Sequence, residues 1–216
     1  EKIASQHAKA YWDKKEEKED NQLKLYKRFD KFEEIDYQKI IDYCKKIKID
    51  FIITPFDLET INFFKNKVKY FKISSSDITN FPLIEKIAKT KKPIILSTGA
   101  SNILEIREAV KLITKYNKKL TLLHCILNYP TKRYDANLGM IDDLQNTFNI
   151  PVGISDHTNP KDSHDILLFA TLKNITMIEK HFTNDKSKRG NDHFHSFDKY
   201  DLIKFNQRVL DVQRII

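Results

Sequence analysis

The chain has 216 residues, of which 40% are hydrophobic, and this is enough for one sizeable core and indicates one globular domain. Its formal net charge is +8. The Lys residues are spread along the chain without a nucleic-acid motif, so the charge is better explained by a basic proteome or an anionic small substrate than by a nucleic-acid partner. No run of about 18 apolar residues occurs, so we expect no membrane partner.

The cysteine content indicates a cytoplasmic setting. Cys44 and Cys125 lie far apart without a CxxC spacing, which favours a reducing compartment over a disulfide framework. No signal peptide is visible, but the chain starts with Glu1 and not Met, so the sequence leaves open whether further residues precede it.

The chain divides into a charged N-terminal segment and an alternating region. Residues 1–34 are dense in Lys and Glu and predict a loop-rich segment with one exposed helix and a Tyr-Trp-Asp patch. Residues 35–47 have apolar positions at helical spacing and predict an amphipathic helix. Six apolar runs follow, at 50–56, 69–76, 93–99, 120–129, 151–157 and 175–182. The predicted helices between and after them are 58–66, 82–89, 103–116, 140–148, 163–172 and 199–212, with Ser101 or Asn102 capping the third.

This alternation predicts an α/β fold with a parallel sheet. The apolar runs are nearly continuous, as expected of strands that are buried on both faces. Units of about 20 to 30 residues joined by right-handed crossovers place neighbouring strands side by side in chain order. A closed TIM-type (β/α)8 barrel needs eight strands, so we predict a partial barrel with six of the eight. Either the barrel is open, or the chain is a fragment that begins after the first two strands.

Polar side chains follow the predicted strands at their C-terminal ends, where parallel barrels have their active sites. Residues two apart on a strand face the same way, so Ser155 with His157 and Glu179 with His181 form two same-face pairs. If both faces point inward, two imidazoles and a carboxylate converge, as in a divalent-metal site with open positions. A single histidine at a strand end is more often a hydrogen-bonded polar residue, but two on neighbouring strands favour a metal.

Lys72 is a cation within an apolar strand. It must reach solvent, pair with a charge or meet an anion, because an unpaired buried ammonium is unfavourable. Hydroxyl groups accompany it nearby or at other strand ends and together predict a phosphate site; they are Thr54, Ser74, Ser75, Ser76, Ser97 and Thr98. The alternative is that Lys72 covers the barrel rim among serines that end the strand.

Seven segments, in this order, resemble the N-terminal barrel of the sialic acid synthase family: ITPFD, YFKISSSDITNFPLI, KPIILSTGAS, LLHCILNYPT, PVGISDHT, IEKHFTNDK and GNDHFHS. FKISSSD and HCILNYPT are most similar to the branch with legionaminic-type synthases. The resemblance implies a transferase of carbohydrate biosynthesis. Such an enzyme condenses phosphoenolpyruvate with an N-acyl hexosamine, with or without a 6-phosphate, to a nonulosonic acid and releases phosphate.

The resemblance also implies roles for individual residues. His157 and His181 would bind Mn²⁺ or Mg²⁺, a Lewis acid for the sugar aldehyde. The implied catalytic residues are Lys72, Asp77 and Glu179, and the implied substrate-binding residues are Thr54, Ser75, Ser97, Tyr129, Ser155 and Asp192. Asp77 lies where the family has an acidic residue beside the reacting carbons, and Glu179, Asp192 and Tyr129 would face the sugar.

The sequence departs from the family pattern in three respects. Two initial strands and a small C-terminal antifreeze-like domain, which in the family reaches into the partner subunit, have no counterpart here. Leu127 lies where many members carry Ser or Asn. We therefore interpret residues 35–216 as a synthase barrel domain without those parts, and expect a complete site and a homodimer only in the full-length protein.

Two alternatives remain open. A Schiff-base aldolase or lyase would use Lys72 as its nucleophile, although such chemistry needs no paired histidines. The second alternative is a non-catalytic barrel fragment that only binds or assembles.

Overall fold

The computed structural model of the chain describes residues 9, 14–15, 17–190 and 192–215, and the Tyr-Trp-Asp patch lies outside them. Five strands form one parallel sheet in the order β1-β2-β3-β4-β5, curled into half of a barrel. The strands are β1 Phe71–Ile73, β2 Ile94–Ser97, β3 Leu120–Cys125, β4 Val152–Asp156 and β5 Ile178–Lys180. The helices are α1 Gln22–Phe29, α2 Glu34–Lys46, α3 Leu58–Phe64, α4 Phe81–Lys89, α5 Ile103–Tyr116, α6 Gly139–Phe148, α7 Pro160–Thr171 and α8 Lys199–Ile215.

Local sequence signals determine where the helices begin. The side chain of Asn102 accepts hydrogen bonds from the backbone N–H groups of Leu104 and Glu105, and the Glu105 carboxylate accepts one from the backbone N–H of Asn102. Of the two predicted caps of α5, the structure therefore has Asn102 and not Ser101 in this position. Pro82 lies in the first turn of α4, where its missing N–H group is not needed.

Two expectations for the N-terminal half were wrong in part. Residues 50–56 do not form a sixth strand among the described residues; Ile53 makes one isolated parallel bridge to Phe71. Pro55 follows two residues later and has no N–H to extend the pairing. The predicted exposed helix exists as α1, but it is not exposed throughout, because it buries Leu23 and Leu25.

The register of the strands assigns each side chain to one of two faces. Residues such as Phe71, Ile94 and Leu120 pair across β1, β2 and β3 and belong to the hydrophobic core beneath the helices. The alternate residues point to the opposite, concave face. Every strand contributes a polar side chain to that face, and those nearest the C-terminal ends of the strands are Lys72, Ser97, Cys125, Ser155 and Glu179. None of the described helices has the length and apolar character needed to cross a membrane.

Gly153 in β4 is required by the close approach of its neighbours. A Cβ atom there would lie 2.5 Å from the backbone oxygen of Met177 and 2.7 Å from Cδ2 of Leu123. We expect Gly153→Ala to lower the free energy of unfolding by about 1–3 kcal/mol, because this packing cannot admit a methyl group without movement. The matched control is Gly139→Ala in α6, where the nearest atom is 3.8 Å away. Urea unfolding should show a lower midpoint for the first variant only, and equal midpoints would contradict the packing argument.

Candidate functional site

Lys72 is the buried cation of the concave face. Its side chain is 10% exposed, and its Nζ lies 3.4 Å from Oε2 of Glu179 on the opposite edge strand. The other carboxylate oxygen, Oε1, accepts a hydrogen bond from Ser155 Oγ at 2.7 Å. A buried ammonium needs a counter-charge, and this ion pair supplies it while connecting β1 to β5 across the face.

An imidazole cluster, formed by Tyr129, His157, His181 and His195, lies just beyond the strand ends. The centroid of the Tyr129 ring is 4.2 Å from that of His157, 5.9 Å from that of His181 and 5.8 Å from that of His195. The rings of His157 and His181 are 5.3 Å apart, and those of His181 and His195 are 4.9 Å apart. Because Glu179 and His181 are two residues apart at the end of β5, the Lys72 ion pair adjoins the imidazole cluster.

Hydrogen bonding orients the ring of His157. Its Nδ1 lies 3.0 Å from the backbone oxygen of Ile126. A carbonyl oxygen only accepts, so in the neutral ring Nδ1 carries the proton and Nε2 keeps its lone pair. Burial lowers the pKa of His157 to about 4. At neutral pH this ring is therefore uncharged, with one nitrogen available as a ligand.

The other ring groups of the cluster are also uncharged at neutral pH. Burial lowers the pKa of His181, against the opposing effect of the Asp192 carboxylate. Burial lowers the pKa of His195 to about 3 and raises the pKa of the Tyr129 phenol. The cluster therefore offers imidazole lone pairs and a protonated phenol in one buried place.

One group of potential metal ligands occurs among the described residues, and it differs from the predicted pair. His181, Asp192 and His195 each offer a ligand atom, and these atoms lie within 4.8 Å of one another. His195 was not recognised as a candidate from the sequence, because it lies in a loop where strand parity gives no prediction. The only available signal was its place in the GNDHFHS segment.

The loop that carries His195 is fixed to the end of β5. Phe182 and Phe197 form an isolated parallel bridge. The backbone N–H of Phe197 donates to the oxygen of His181 at 2.9 Å, and the N–H of Thr183 donates to the oxygen of Phe197 at 2.8 Å. These bonds hold the loop beside His181 and so bring His195 into the cluster.

The remaining predicted hydroxyl and acidic residues are distributed unevenly. Ser75 and Ser97 are buried, and Ser97 Oγ has no hydrogen-bond partner among the described residues. Asp77 accepts a hydrogen bond from Asn80 Nδ2 at 3.0 Å, in the short 3-10 turn after β1. Thr54 lines a separate cavity of about 360 Å³ beside α2 and α3. The described contacts therefore do not join Thr54 to the Lys72 ion pair.

Cys125 shares the concave face with Lys72 but is not a reactive thiolate. Burial raises its pKa, although the charge of Lys72 acts in the opposite direction. Gly99 permits this arrangement, because a Cβ at that position would lie 2.5 Å from Cys125 Sγ. The thiol therefore acts as a small buried side chain at neutral pH.

A buried network on the helix side of the sheet holds the ends of β4 and β5 together. Asp156 Oδ2 lies 2.8 Å from Lys180 Nζ and accepts a hydrogen bond from Ser163 Oγ at 2.7 Å. Its Oδ1 accepts from both the backbone N–H and the hydroxyl of Thr158, at 3.1 and 2.8 Å. Asp156 and Lys180 each lie between two residues of the site, so this network fixes the positions from which the site side chains project.

We expect Asp156→Ala to lower the free energy of unfolding by about 3–5 kcal/mol, because it leaves the Lys180 ammonium buried without its counter-charge. The matched control is Asp42→Ala, which removes an exposed carboxylate 3.5 Å from Lys45. Thermal and urea unfolding of both variants provide the measurement. An Asp156→Ala protein as stable as the control would show that the network does not hold the two strands together.

Comparison with known proteins identifies relatives for the whole chain. The sequence profile of the NeuB family matches residues 1–216. An uncharacterized protein of Methanocaldococcus jannaschii is 40% identical over 221 residues, which cover 100% of this chain and 62% of that protein. The N,N'-diacetyllegionaminic acid synthase of Campylobacter jejuni is 40% identical over 182 residues, which cover 82% of this chain and 54% of that enzyme.

A solved structure gives the same relationship. The N-acetylneuraminic acid (sialic acid) synthetase of Leptospira borgpetersenii, crystallised with citrate, superimposes with a TM-score of 0.80 and 33% identity over 85% of this chain and 64% of that chain. The present chain thus spans about half to three fifths of the length of the curated relatives it matches.

Proposed function

Since the chain belongs to the NeuB family, we propose that in its full-length form it condenses phosphoenolpyruvate with an N-acyl hexosamine to a nonulosonic acid of the sialic or legionaminic type and releases phosphate. The observation that carries the proposal is the single site in which the Lys72–Glu179 ion pair adjoins the imidazole cluster. An anion-binding cation beside uncharged imidazoles is what a condensation between an anionic enol phosphate and a polarised aldehyde requires.

Lys72 binds phosphoenolpyruvate in this proposal. Its ammonium is buried and held by one carboxylate at 3.4 Å, which is longer than a strong charge-assisted hydrogen bond and leaves donors available for a phosphate or carboxylate oxygen. Ser75 and Ser97 supply buried hydroxyl groups, and the Oγ of Ser97 has no partner among the described residues. Ser155 orients the carboxylate of Glu179 through its hydrogen bond.

The residues of the imidazole cluster fit a divalent metal ion, because His157 offers Nε2 while its Nδ1 is hydrogen-bonded, and His195 has two ring nitrogens without a described partner. We assign His157 and His181 as ligands of Mn²⁺ or Mg²⁺. Bound there, the ion would supply Lewis-acid polarisation of the sugar aldehyde. Hydrogen bonding keeps the His157 ring in the orientation that presents Nε2.

Glu179 and Asp77 manage protons and positive charge during the reaction, and the sugar lies against Tyr129 and Asp192. The protonated phenol of Tyr129 donates to a sugar oxygen, and Glu179 can accept a proton from one. The imidazole cluster beside the Lys72 ion pair argues against the Schiff-base alternative, because such chemistry needs no paired histidines. Thr54 binds phosphoenolpyruvate only if residues 50–56 extend the sheet in the full-length protein.

The domain organisation is part of the proposal. Residues 35–216 form the catalytic barrel domain, residues 1–34 form the segment before it, and the full-length protein is a cytoplasmic homodimer. The matched relatives are longer than the present chain, which covers 62% and 54% of two of them, so this organisation is proposed for the full-length protein.

A product assay tests the function. The full-length protein is incubated with phosphoenolpyruvate, Mn²⁺ and a panel of N-acyl hexosamines, with and without a 6-phosphate, and the products are identified by mass spectrometry. We expect one nonulosonic acid and one equivalent of phosphate. A second sample is incubated with pyruvate and borohydride. Labelling of Lys72 in that sample, with no nonulosonic acid formed in the first, would instead establish the Schiff-base alternative.

A further inference from the structure

We propose that His195 is a third imidazole ligand of the metal ion bound by His157 and His181. This inference rests on the proposed function, since it concerns the metal of the same site. It changes the expected coordination from two protein nitrogens to three, with Asp192 close enough to contribute an oxygen.

The first observation is the environment of the His195 side chain. The residue is 0% exposed, and neither Nδ1 nor Nε2 has a hydrogen-bond partner within the described part of the chain. A buried polar group without a hydrogen-bond partner is destabilising, so a buried histidine normally has a protein partner. His124 illustrates the normal case, because it is 3% exposed and its Nε2 lies 2.8 Å from the backbone oxygen of Ala136.

The second observation is the position of the ring. His195 lies among aromatic and imidazole rings, with its centroid 4.9 Å from that of His181 and 5.8 Å from that of Tyr129. Ligand atoms of His181, Asp192 and His195 lie within 4.8 Å of one another. Bonds of about 2.1 Å place two ligand atoms about 3.0–3.4 Å apart at octahedral or tetrahedral angles, so this group must contract by up to about 1.8 Å, and Nε2 of His157 must approach it, for all of them to bind one ion.

The third observation is that the backbone positions His195 independently of any metal. The bridge between Phe182 and Phe197 ties the loop to the end of β5. Phe182 directly follows His181, and Phe197 lies two residues after His195. His193, the other histidine of this loop, does not contribute in the same way, because its Nδ1 lies 2.7 Å from Thr183 Oγ1. The loop therefore contains one histidine with a protein partner and one that faces the cluster.

Three imidazoles change which metal the site prefers. Imidazole nitrogen suits Zn²⁺, Cu²⁺, Fe²⁺ and Ni²⁺, whereas Mg²⁺ prefers oxygen ligands and keeps several waters. We therefore expect the site to bind Mn²⁺ much more tightly than Mg²⁺, and to bind Co²⁺ or Zn²⁺ more tightly still.

Counting nitrogens on a bound Cu²⁺ probe tests the inference without relying on activity. The full-length protein and its His195→Phe and His193→Phe variants are loaded with one equivalent of Cu²⁺, and pulsed EPR counts the coordinated imidazoles. We expect three in the parent protein, two after His195→Phe and three after His193→Phe. Mn²⁺ affinity, measured from the EPR signal of free Mn²⁺, should fall at least about 10-fold after His195→Phe, because loss of a ligand should weaken binding by no less than loss of an outer-shell partner.

Thermal unfolding checks that each variant is folded, and His195→Gln replaces the Phe variant if the latter is not. The same number of imidazoles and the same Mn²⁺ affinity before and after His195 substitution would overturn the inference, even if the product assay succeeds. Three imidazoles with no nonulosonic acid formed would support the inference and count against the proposed function.

Discussion

His181→Ala is expected to abolish metal-dependent turnover of the full-length protein. The ring centroid of His181 lies 5.3 Å from that of His157 and 4.9 Å from that of His195, so His181 is the histidine between the other two. Its replacement by Ala removes one of the two proposed metal ligands. Lewis-acid stabilisation is worth several kcal/mol, and 4 kcal/mol corresponds to about 10³-fold in kcat. The measurement is kcat after removal of metal with a chelator and titration with Mn²⁺.

His193→Ala is the matched control for this variant, since His193 is bonded to Thr183 outside the cluster. It should retain turnover to within about 3-fold, as expected for a residue that acts neither as ligand nor in the transition state. Retained activity and unchanged Mn²⁺ affinity in His181→Ala would remove His181 from the site.

Lys72→Ala is expected to raise the KM for phosphoenolpyruvate by about 10–100-fold and to leave the KM for the amino sugar nearly unchanged. A hydrogen bond to a charged group contributes about 1.5–3 kcal/mol, and Lys72 makes its contact with the anionic substrate alone in the proposed arrangement. Initial rates measured against each substrate in turn give the two constants. Equal increases for both substrates would contradict the assignment.

Two further variants separate the charge of Lys72 from its structural role. Lys72→Arg keeps a cation beside Glu179 and should recover part of the phosphoenolpyruvate affinity. Lys69→Ala removes a neighbouring exposed lysine, paired with Asp50 at 2.6 Å, and should leave both constants unchanged. Thermal unfolding of Lys72→Ala shows whether the unpaired Glu179 weakens the sheet.

Periodicity and strand parity predicted the parts of this protein in which local sequence decides the structure. The helix of residues 103–116 begins and ends where predicted, and its cap, Asn102, is one of the two residues that the sequence offered for that position. Strand parity also predicted that Ser155 and Glu179 could both face inward, and the structure adds that they lie in register and are hydrogen-bonded. Both results depend on rules that operate within one element or between neighbouring strands.

The features that the sequence did not predict depend on contacts between distant segments. Residues 50–56 have the composition of a strand, but Pro55 and the lack of a second described neighbour leave only the Ile53 bridge. His195 joins the cluster through the pairing of Phe182 with Phe197, two residues that are distant in sequence and have no shared periodicity. The Asp156 network was likewise not predicted, because Lys180 lies on the next strand and Ser163 in the following helix, and only the fold brings them together.

Anomalous diffraction from crystals of the full-length protein with Mn²⁺ and phosphoenolpyruvate tests most directly whether one site holds both the anion and the metal. We expect the Mn²⁺ peak beside His157 and His181, and an oxygen of phosphoenolpyruvate within hydrogen-bond distance of Lys72 Nζ. A metal or a phosphate bound instead in the cavity of about 720 Å³ between α7 and α8, which His181 also lines, would contradict this account.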